Sequence, residues 1–134
     1  MCRMNLSDGS VQVVVSESLP HYCYVTEYCD RLYYTNNQSH SVTCCGLDGE
    51  QNWKFENCVL QHPLGITVDN CRNVYVIGRD STNVVVISHD GKRYRELLSE
   101  KDGLVDPQVL YYLRSSNQLL VSNRDKKAFV YEIL

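Results

Sequence analysis

Short apolar runs alternate with turn residues along the whole chain, and helical spacing is absent except for an ambiguous stretch at Arg93–Lys101. The clearest unit runs from Pro63 to Leu98. Leu64–Asp69 reads as a strand, Asn70-Cys71-Arg72 as a turn and Asn73–Ile77 as a second strand. Gly78–Thr82 is a polar loop, Asn83–Ser88 a third strand, Asp90-Gly91 a hairpin turn and Arg93–Leu98 a fourth strand. These four are called a, b, c and d.

The unit recurs. Asp-Gly pairs stand at 8–9, 48–49 and 90–91, separated by 40 and 42 residues. The b-type strands Arg31–Asn36, Asn73–Gly78 and Gln118–Asn123 start 42 and 45 residues apart, and Pro20, Pro63 and Pro107 are separated by 43 and 44. Four short strands per 40 to 45 residues is the period of a β-propeller blade, a unit that needs neighbours to bury its faces. The chain is therefore expected to be all-β, a partial β-propeller of roughly three four-stranded antiparallel blades. Residues 1–18 hold the end of one blade (strands Cys2–Leu6 and Val11–Ser16), and 19–58 form a blade with strands His21–Tyr28, Arg31–Asn36, Ser41–Leu47 and Gln51–Glu56. Residues 59–101 are the blade described above. Residues 102–134 are a last blade without its outer strand, with Pro107–Leu113, Gln118–Asn123 and Ala128–Leu134. That gives thirteen strands in one domain spanning 1–134.

Composition supports this reading. The chain has ten Tyr, and Val recurs in runs such as Val84-Val85-Val86, residue types suited to a pleated, half-buried surface. The net charge of −3 argues against a polyanion binder as a whole. No apolar run reaches the ~18 residues of a membrane span, and Met1–Ser7 has no apolar signal core, so a cytoplasmic chain without membrane contact is expected. The seven cysteines are an odd number for a disulfide framework and read as reduced, partly buried thiols. Two Asn-x-Ser sequons, at Asn5 and Asn37, are weak signs of secretion.

The segment HPLGITVDNCRNVYVIGRDSTNVVVISHDGK resembles an NHL repeat, matching its pattern at Pro63, Gly65, Ile66, Val68, Asp69, Asn73, Tyr75, Val76, Asp90 and Gly91. The whole is similar to the C-terminal propeller of tripartite-motif (RING/B-box/NHL) proteins, which normally has six blades. That resemblance implies a partner- or substrate-recognition module related to ubiquitin ligases. The blade RLYYTNNQSHSVTCCGLDGEQNWKF also resembles the Tyr-Trp-Thr-Asp blades of lipoprotein-receptor propellers. No Cys-x-x-Cys occurs and the four His stand singly, so no RING or other zinc site is read.

No nucleophile-elbow, phosphate-loop or dinucleotide-binding string is present, and the chain is expected to be a non-catalytic module with no cofactor and no metal. Asp48, Asp69 and Asp90 read as turn residues. Tyr33, Tyr34, Tyr75, Tyr111 and Tyr112 are expected to face neighbouring blades, and Trp53 to make a blade-to-blade or rim contact. In a propeller the b–c and d–a loops share one face, and loops on a rigid scaffold are where binding residues concentrate. The longer, polar b–c loops place the expected partner site at Asn37, Arg79, Arg124 and Lys126, with His62 at its edge. Arg79 and Arg124 are 45 residues apart, at matching positions of successive blades, where the planar guanidinium suits carboxylates or phosphates. A protein partner is the first expectation. Single-stranded RNA is an alternative that the acidic first half disfavours, and an extracellular receptor-type propeller is another. Bare blade faces also make self-association an expectation, two copies forming a six-bladed ring being one form of it.

Overall fold

The computed structural model of the protein describes residues 1–133. Thirteen strands form four antiparallel sheets. β1 (Cys2–Met4) and β2 (Val11–Val13) make a two-stranded sheet. The next sheet holds β3 (Val25–Tyr28), β4 (Arg31–Asn36), β5 (Ser41–Gly46) and β6 (Gln51–Glu56) in sequence order. The third repeats that order with β7 (Pro63–Val68), β8 (Val74–Gly78), β9 (Asn83–Ile87) and β10 (Tyr94–Leu98). After a single 3₁₀ turn at Glu100–Asp102, β11 (Pro107–Leu113), β12 (Gln118–Asn123) and β13 (Ala128–Glu132) form the last sheet. This is the partial propeller the period predicts, and the ambiguous stretch at Arg93–Lys101 contains strand β10.

Turn chemistry sets the hairpins. Asp8, Asp48 and Asp90 each accept, through Oδ1, the backbone N–H two residues on, at 2.8, 3.0 and 3.1 Å. The glycine that follows each of them takes a positive φ of 73°, 88° or 74°. Hydrogen bonds hold two of these carboxyls below the usual range: from Ser10 to Asp8, and from the Ser88 hydroxyl and the Lys92 N–H to Asp90.

The core lies between the sheets. One seam joins Tyr33, Val42, Cys44 and Phe55 of the second sheet to Ile66, Val68, Val74, Val76, Val85 and Ile87 of the third, with Leu60 filling it from the connecting loop. The other joins Tyr75, Ile77, Val84 and Leu98 to Leu110, Leu119 and Val121 of the last sheet. β8 is therefore buried along its whole length: Val74 and Val76 point to one seam, Tyr75 and Ile77 to the other. The innermost strands are pinned to adjacent sheets by Thr35 Oγ1 donating to the Leu64 carbonyl (3.0 Å) and the Tyr112 N–H donating to Thr67 Oγ1 (3.2 Å).

Several expectations need correction. The strands expected over Cys2–Leu6 and Val11–Ser16 are observed as Cys2–Met4 and Val11–Val13. The strand expected over His21–Tyr28 begins at Val25, because Tyr22 has φ 64° and cannot continue a ladder. The strand expected over Ala128–Leu134 is observed as Ala128–Glu132, and Leu134 lies outside the described residues. Tyr33, Tyr34, Tyr75 and Tyr112 are buried between sheets, but Tyr111 is 60% exposed, since strand alternation turns it away from the seam that Leu110 and Tyr112 fill. Among the described residues no helix is long and apolar enough to cross a membrane.

Trp53 makes the blade-to-blade contact expected of it: Nε1 donates to the His89 carbonyl at 3.0 Å and its ring covers Gly91. A Cβ on Gly91 would stand 2.6 Å from Trp53 Cδ2, and its φ of 74° disfavours any side chain. Gly91→Ala is expected to cost about 1–2 kcal/mol from strain and the displaced ring. Urea unfolding followed by Trp53 fluorescence reads both effects, and an unchanged midpoint with an unchanged spectrum would contradict the contact.

Candidate functional site

The loops entering each innermost strand share one backbone feature. Tyr22, His62 and Asp106 stand 40 and 44 residues apart and all adopt the left-handed conformation, with φ of 64°, 52° and 43°. For residues with a Cβ this conformation costs on the order of 1 kcal/mol or more each, and strain of this kind collects at functional sites. Two of these residues are tied to the next loop by the same hydrogen bond: the Arg79 N–H donates to the His62 carbonyl (3.1 Å) and the Arg124 N–H to the Asp106 carbonyl (3.1 Å). The b–c and d–a loops are thus joined, which brings both arginines to one loop cluster.

Here the side chains of Arg79 and Arg124 meet one carboxylate. Arg79 Nε donates to Asp106 Oδ1 at 3.0 Å, and Arg124 Nη1 lies 3.6 Å from Asp106 Oδ2. Neither arginine takes its sequence neighbour as partner: Asp125 lies 3.8 Å from Lys127, and Asp80 Oδ2 lies 3.8 Å from His62 Nδ1. Two guanidinium charges thus face one carboxylate, with Arg124 68% exposed along its side chain. His62, 29% exposed, stands between Asp80, 3.8 Å from Nδ1, and the Asn37 amide, 3.4 Å from Nε2. His40 supports the loop below, accepting the His62 N–H at Nδ1 (2.8 Å), which fixes that nitrogen as unprotonated.

His62, Arg79 and Arg124 line an open basin of about 400 Å³, together with Tyr22, Tyr24, Leu64 and Gln108. Of the sequence candidates, His62, Arg79 and Arg124 come together at its wall. Asn37 is 5% exposed, and its Nδ2 donates to the His21 carbonyl at 3.0 Å, so it positions His62 from behind. Lys126 is exposed at the left-handed end of the last b–c loop and does not line the basin. Sequence reading missed Tyr22, Tyr24, Leu64 and Gln108 as wall residues, and did not include Asp106 among the site residues. The spacing of Tyr22, His62 and Asp106, close to the repeat period, is the signal in the sequence that could have found the first and last of them. A larger groove, about 530 Å³, opens beside β10 and holds none of the candidates. Among the described residues no group of three or more His, Cys, Asp or Glu is placed to hold a metal ion.

No family model and no curated protein matches the chain. Solved structures do, and they are β-propellers. The chain is similar to a catalytically inactive histidine-to-alanine variant of virginiamycin B lyase from Staphylococcus aureus with quinupristin, at a TM-score of 0.70 and 14% identity over 98% of this chain and 48% of that one. It is also similar to streptogramin B lyase, at a TM-score of 0.66 and 18% identity over 96% of this chain and 46% of that one. Selenomethionine-substituted virginiamycin B lyase from the same organism gives 0.68 and 16%, covering 98% of this chain and 48% of that one. The chain spans about half the length of these neighbours, and at such identities the likeness shows the fold. The protein is thus an all-β chain with the architecture of a partial β-propeller. One expectation is overturned: the chain was read as no enzyme because it is a propeller without catalytic strings, yet the propellers it resembles are lyases.

Proposed function

We propose that the protein is a recognition propeller whose basin at the b–c and d–a loops takes a carboxylate-bearing segment of a partner protein. The observation that carries this reading is the pair of arginines from successive blades, Arg79 and Arg124, set around one carboxylate at the mouth of the basin. An incoming carboxylate finds one guanidinium charge in excess, planar donors held in place by Asp106, and the Tyr22 and Tyr24 rings as apolar walls. The resemblance of residues 63–91 to an NHL repeat supports the same use of this face.

The test is binding of fluorescent Asp/Glu-rich peptides to the chain and to two double variants. Arg79→Glu with Arg124→Glu is expected to abolish binding, a loss of at least a hundredfold, because truncated charge pairs at buried or half-buried sites cost ~2–5 kcal/mol. Lys92→Glu with Arg93→Glu, on the opposite side, is expected to leave it within about twofold. Loss confined to the second pair overturns the assignment of the face. Binding of single-stranded RNA instead, falling steeply with salt, overturns the choice of partner.

A second reading rests on His62, the one imidazole in the basin wall, a residue type suited to proton transfer, with Asp80 and the Asn37 amide beside its two nitrogens. In this reading the basin carries out a lyase reaction like that of the solved neighbours. Mass spectrometry of quinupristin incubated with the chain, beside His62→Ala, decides it. No change in substrate mass or fragmentation over a long incubation removes this reading.

A further inference from the structure

Two of the three Asp-Gly turns are covered by a residue of the chain before them. A Cβ on Gly49 would run into the carbonyl oxygen of Val14, the residue after β2, and one on Gly91 would stand 2.6 Å from Trp53 Cδ2 on β6. Gly9, in the first turn, meets nothing within 4 Å. The hairpin that carries it is bare as well. Cys2 pairs with Val13 and Met4 with Val11, so these four share one face, and all four are exposed. One edge of the hairpin is also open. The Asn5 N–H donates to the Ser10 carbonyl and the Val14 N–H to the Met1 carbonyl, so Ser10, Gln12 and Val14 turn their backbone groups towards β1. Val11 and Val13 therefore present theirs to the outer edge of β2.

At the other end of the row of sheets, the complementary half of this contact stands empty. Trp53 and Phe55 of β6 meet the third sheet, Trp53 at His89 and Gly91 and Phe55 edge-on to Tyr94, with ring centroids 5.4 Å apart. Their equivalents one repeat on, 42 residues later, are Arg95 and Leu97 of β10. These two line the open groove of about 530 Å³, with Val86, Tyr94, Asn117 and Ile133. Ile133 directly follows β13, which ends a sheet of three strands among the described residues, where the two sheets before it have four. The groove therefore lies beside a free strand edge, and such an edge is a template for pairing.

A hairpin whose turn lacks a cover and a groove that lacks a hairpin thus stand on one chain, at opposite ends of the row of sheets. Each is the complement of the other in a second copy. Charge agrees with this: Asp8 marks the uncovered turn and Arg95 the empty place, and neither is in an ion pair among the described residues. So does length, since one copy covers 48% or 46% of the solved propellers' chains and two copies supply about the whole.

We propose that the β1–β2 hairpin of a second copy fills the groove, adding its β2 to the free edge of β13 and setting its Asp8-Gly9 turn on Arg95. The exchange runs both ways, so two copies close one ring. Head-to-tail contacts close in this way when the rotation between copies returns to the start.

Sedimentation equilibrium of the full chain tests this, in a thiol reductant that keeps the exposed Cys2 from bridging. The mass of two chains is expected at about 100 μM, falling towards one on dilution. Val11→Glu with Val13→Glu puts two charges into the groove and is expected to weaken association at least a hundredfold. Arg95→Glu sets a carboxylate against Asp8 and is expected to weaken it about tenfold. All three side chains are exposed on the single chain, which spares the fold, and a thermal melt of each variant checks this. Val105→Glu, 56% exposed in another loop, is expected to change nothing. A one-chain mass at every concentration overturns the proposal and leaves the groove to a strand of another protein. A mass that grows past two chains overturns the closed ring. Dissociation of the Val11/Val13 variant with none in Arg95→Glu, or equal weakening by Val105→Glu, overturns the assignment of the hairpin to this groove.

Discussion

Replacing Asp69 by Ala is expected to lower stability by about 3 kcal/mol or more and the melting temperature by roughly 10 °C. The carboxylate is 6% exposed and works at every lone-pair direction. Oδ1 accepts the Cys71 and Asn73 N–H groups at 2.8 and 2.9 Å, while Oδ2 accepts the Asn73 side-chain amide at 2.9 Å and the Tyr75 hydroxyl at 3.0 Å. Alanine would strand a tyrosine hydroxyl that is 3% exposed and loosen the turn that starts β8, the strand serving both core seams. Each buried polar group left unsatisfied costs ~1–3 kcal/mol, which sets the size of the effect. Asp69→Asn retains an oxygen for the two backbone donors, and roughly half the loss is expected. Chemical unfolding of both variants measures this. An Ala variant within about 0.5 kcal/mol of the parent would show that water replaces the carboxylate.

The second large effect is expected at Gly65, where two innermost strands approach too closely for a side chain. A Cβ there would lie 2.8 Å from the Gln108 carbonyl oxygen and 3.2 Å from the Leu110 N. Both are backbone atoms of β11, so relief requires moving β7 away from the last sheet and opening the seam that Leu110 and Tyr75 fill. Gly65→Val is expected to cost roughly 3 kcal/mol, and Gly65→Ala about half of that. Flanking Leu64 and Gln108 line the basin, so peptide binding at Arg79 and Arg124 is expected to weaken even where the variant stays folded. Gly9→Ala is the reference. Its φ is 73° but a Cβ meets nothing within 4 Å, so about 1 kcal/mol of backbone strain is all that is expected. Equal losses at Gly65 and Gly9 would mean that the close approach contributes nothing.

Most of the fold was legible because it is built from a repeat whose punctuation is chemical. The b strands recur in three blades and Asp-Gly pairs close three of the hairpins, and β4, β6, β11 and β12 coincide with the strands read from sequence. What was not legible depends on departures from that repeat. Nothing local marks Tyr22 as left-handed, since the residue itself disfavours it, and the strand was accordingly expected to begin too early. Tyr111 and Tyr112 are equivalent by composition, and only their register against β12 decides which is buried. That the b–c and d–a loops share one face could be read, because loop alternation in a blade is geometry. The partners of Arg79 and Arg124 could not. Asp80 and Asp125 adjoin them in sequence, but the carboxylate that reaches both comes from the loop of a different strand pair. Asn37 and Lys126 show the same limit: both lie in b–c loops, yet one turns inward behind His62 and the other outward to solvent.

The left-handed residues of the loops that enter the innermost strands behave like three identical sockets fitted with different tools. Tyr22, His62 and Asp106 present a phenol, an imidazole and a carboxylate from one backbone shape. Because the shape is set by the loop and by the bond from the following arginine in two of the three, a change of side chain there changes the chemistry of these loops without redesigning the scaffold. The conformation also restricts what each socket accepts. Asn, Asp, His and Gly fit easily, whereas Val, Ile and Thr carry a steric penalty at this φ. A library confined to the first four residue types at these positions would therefore sample new ligand preferences while sparing the blades beneath.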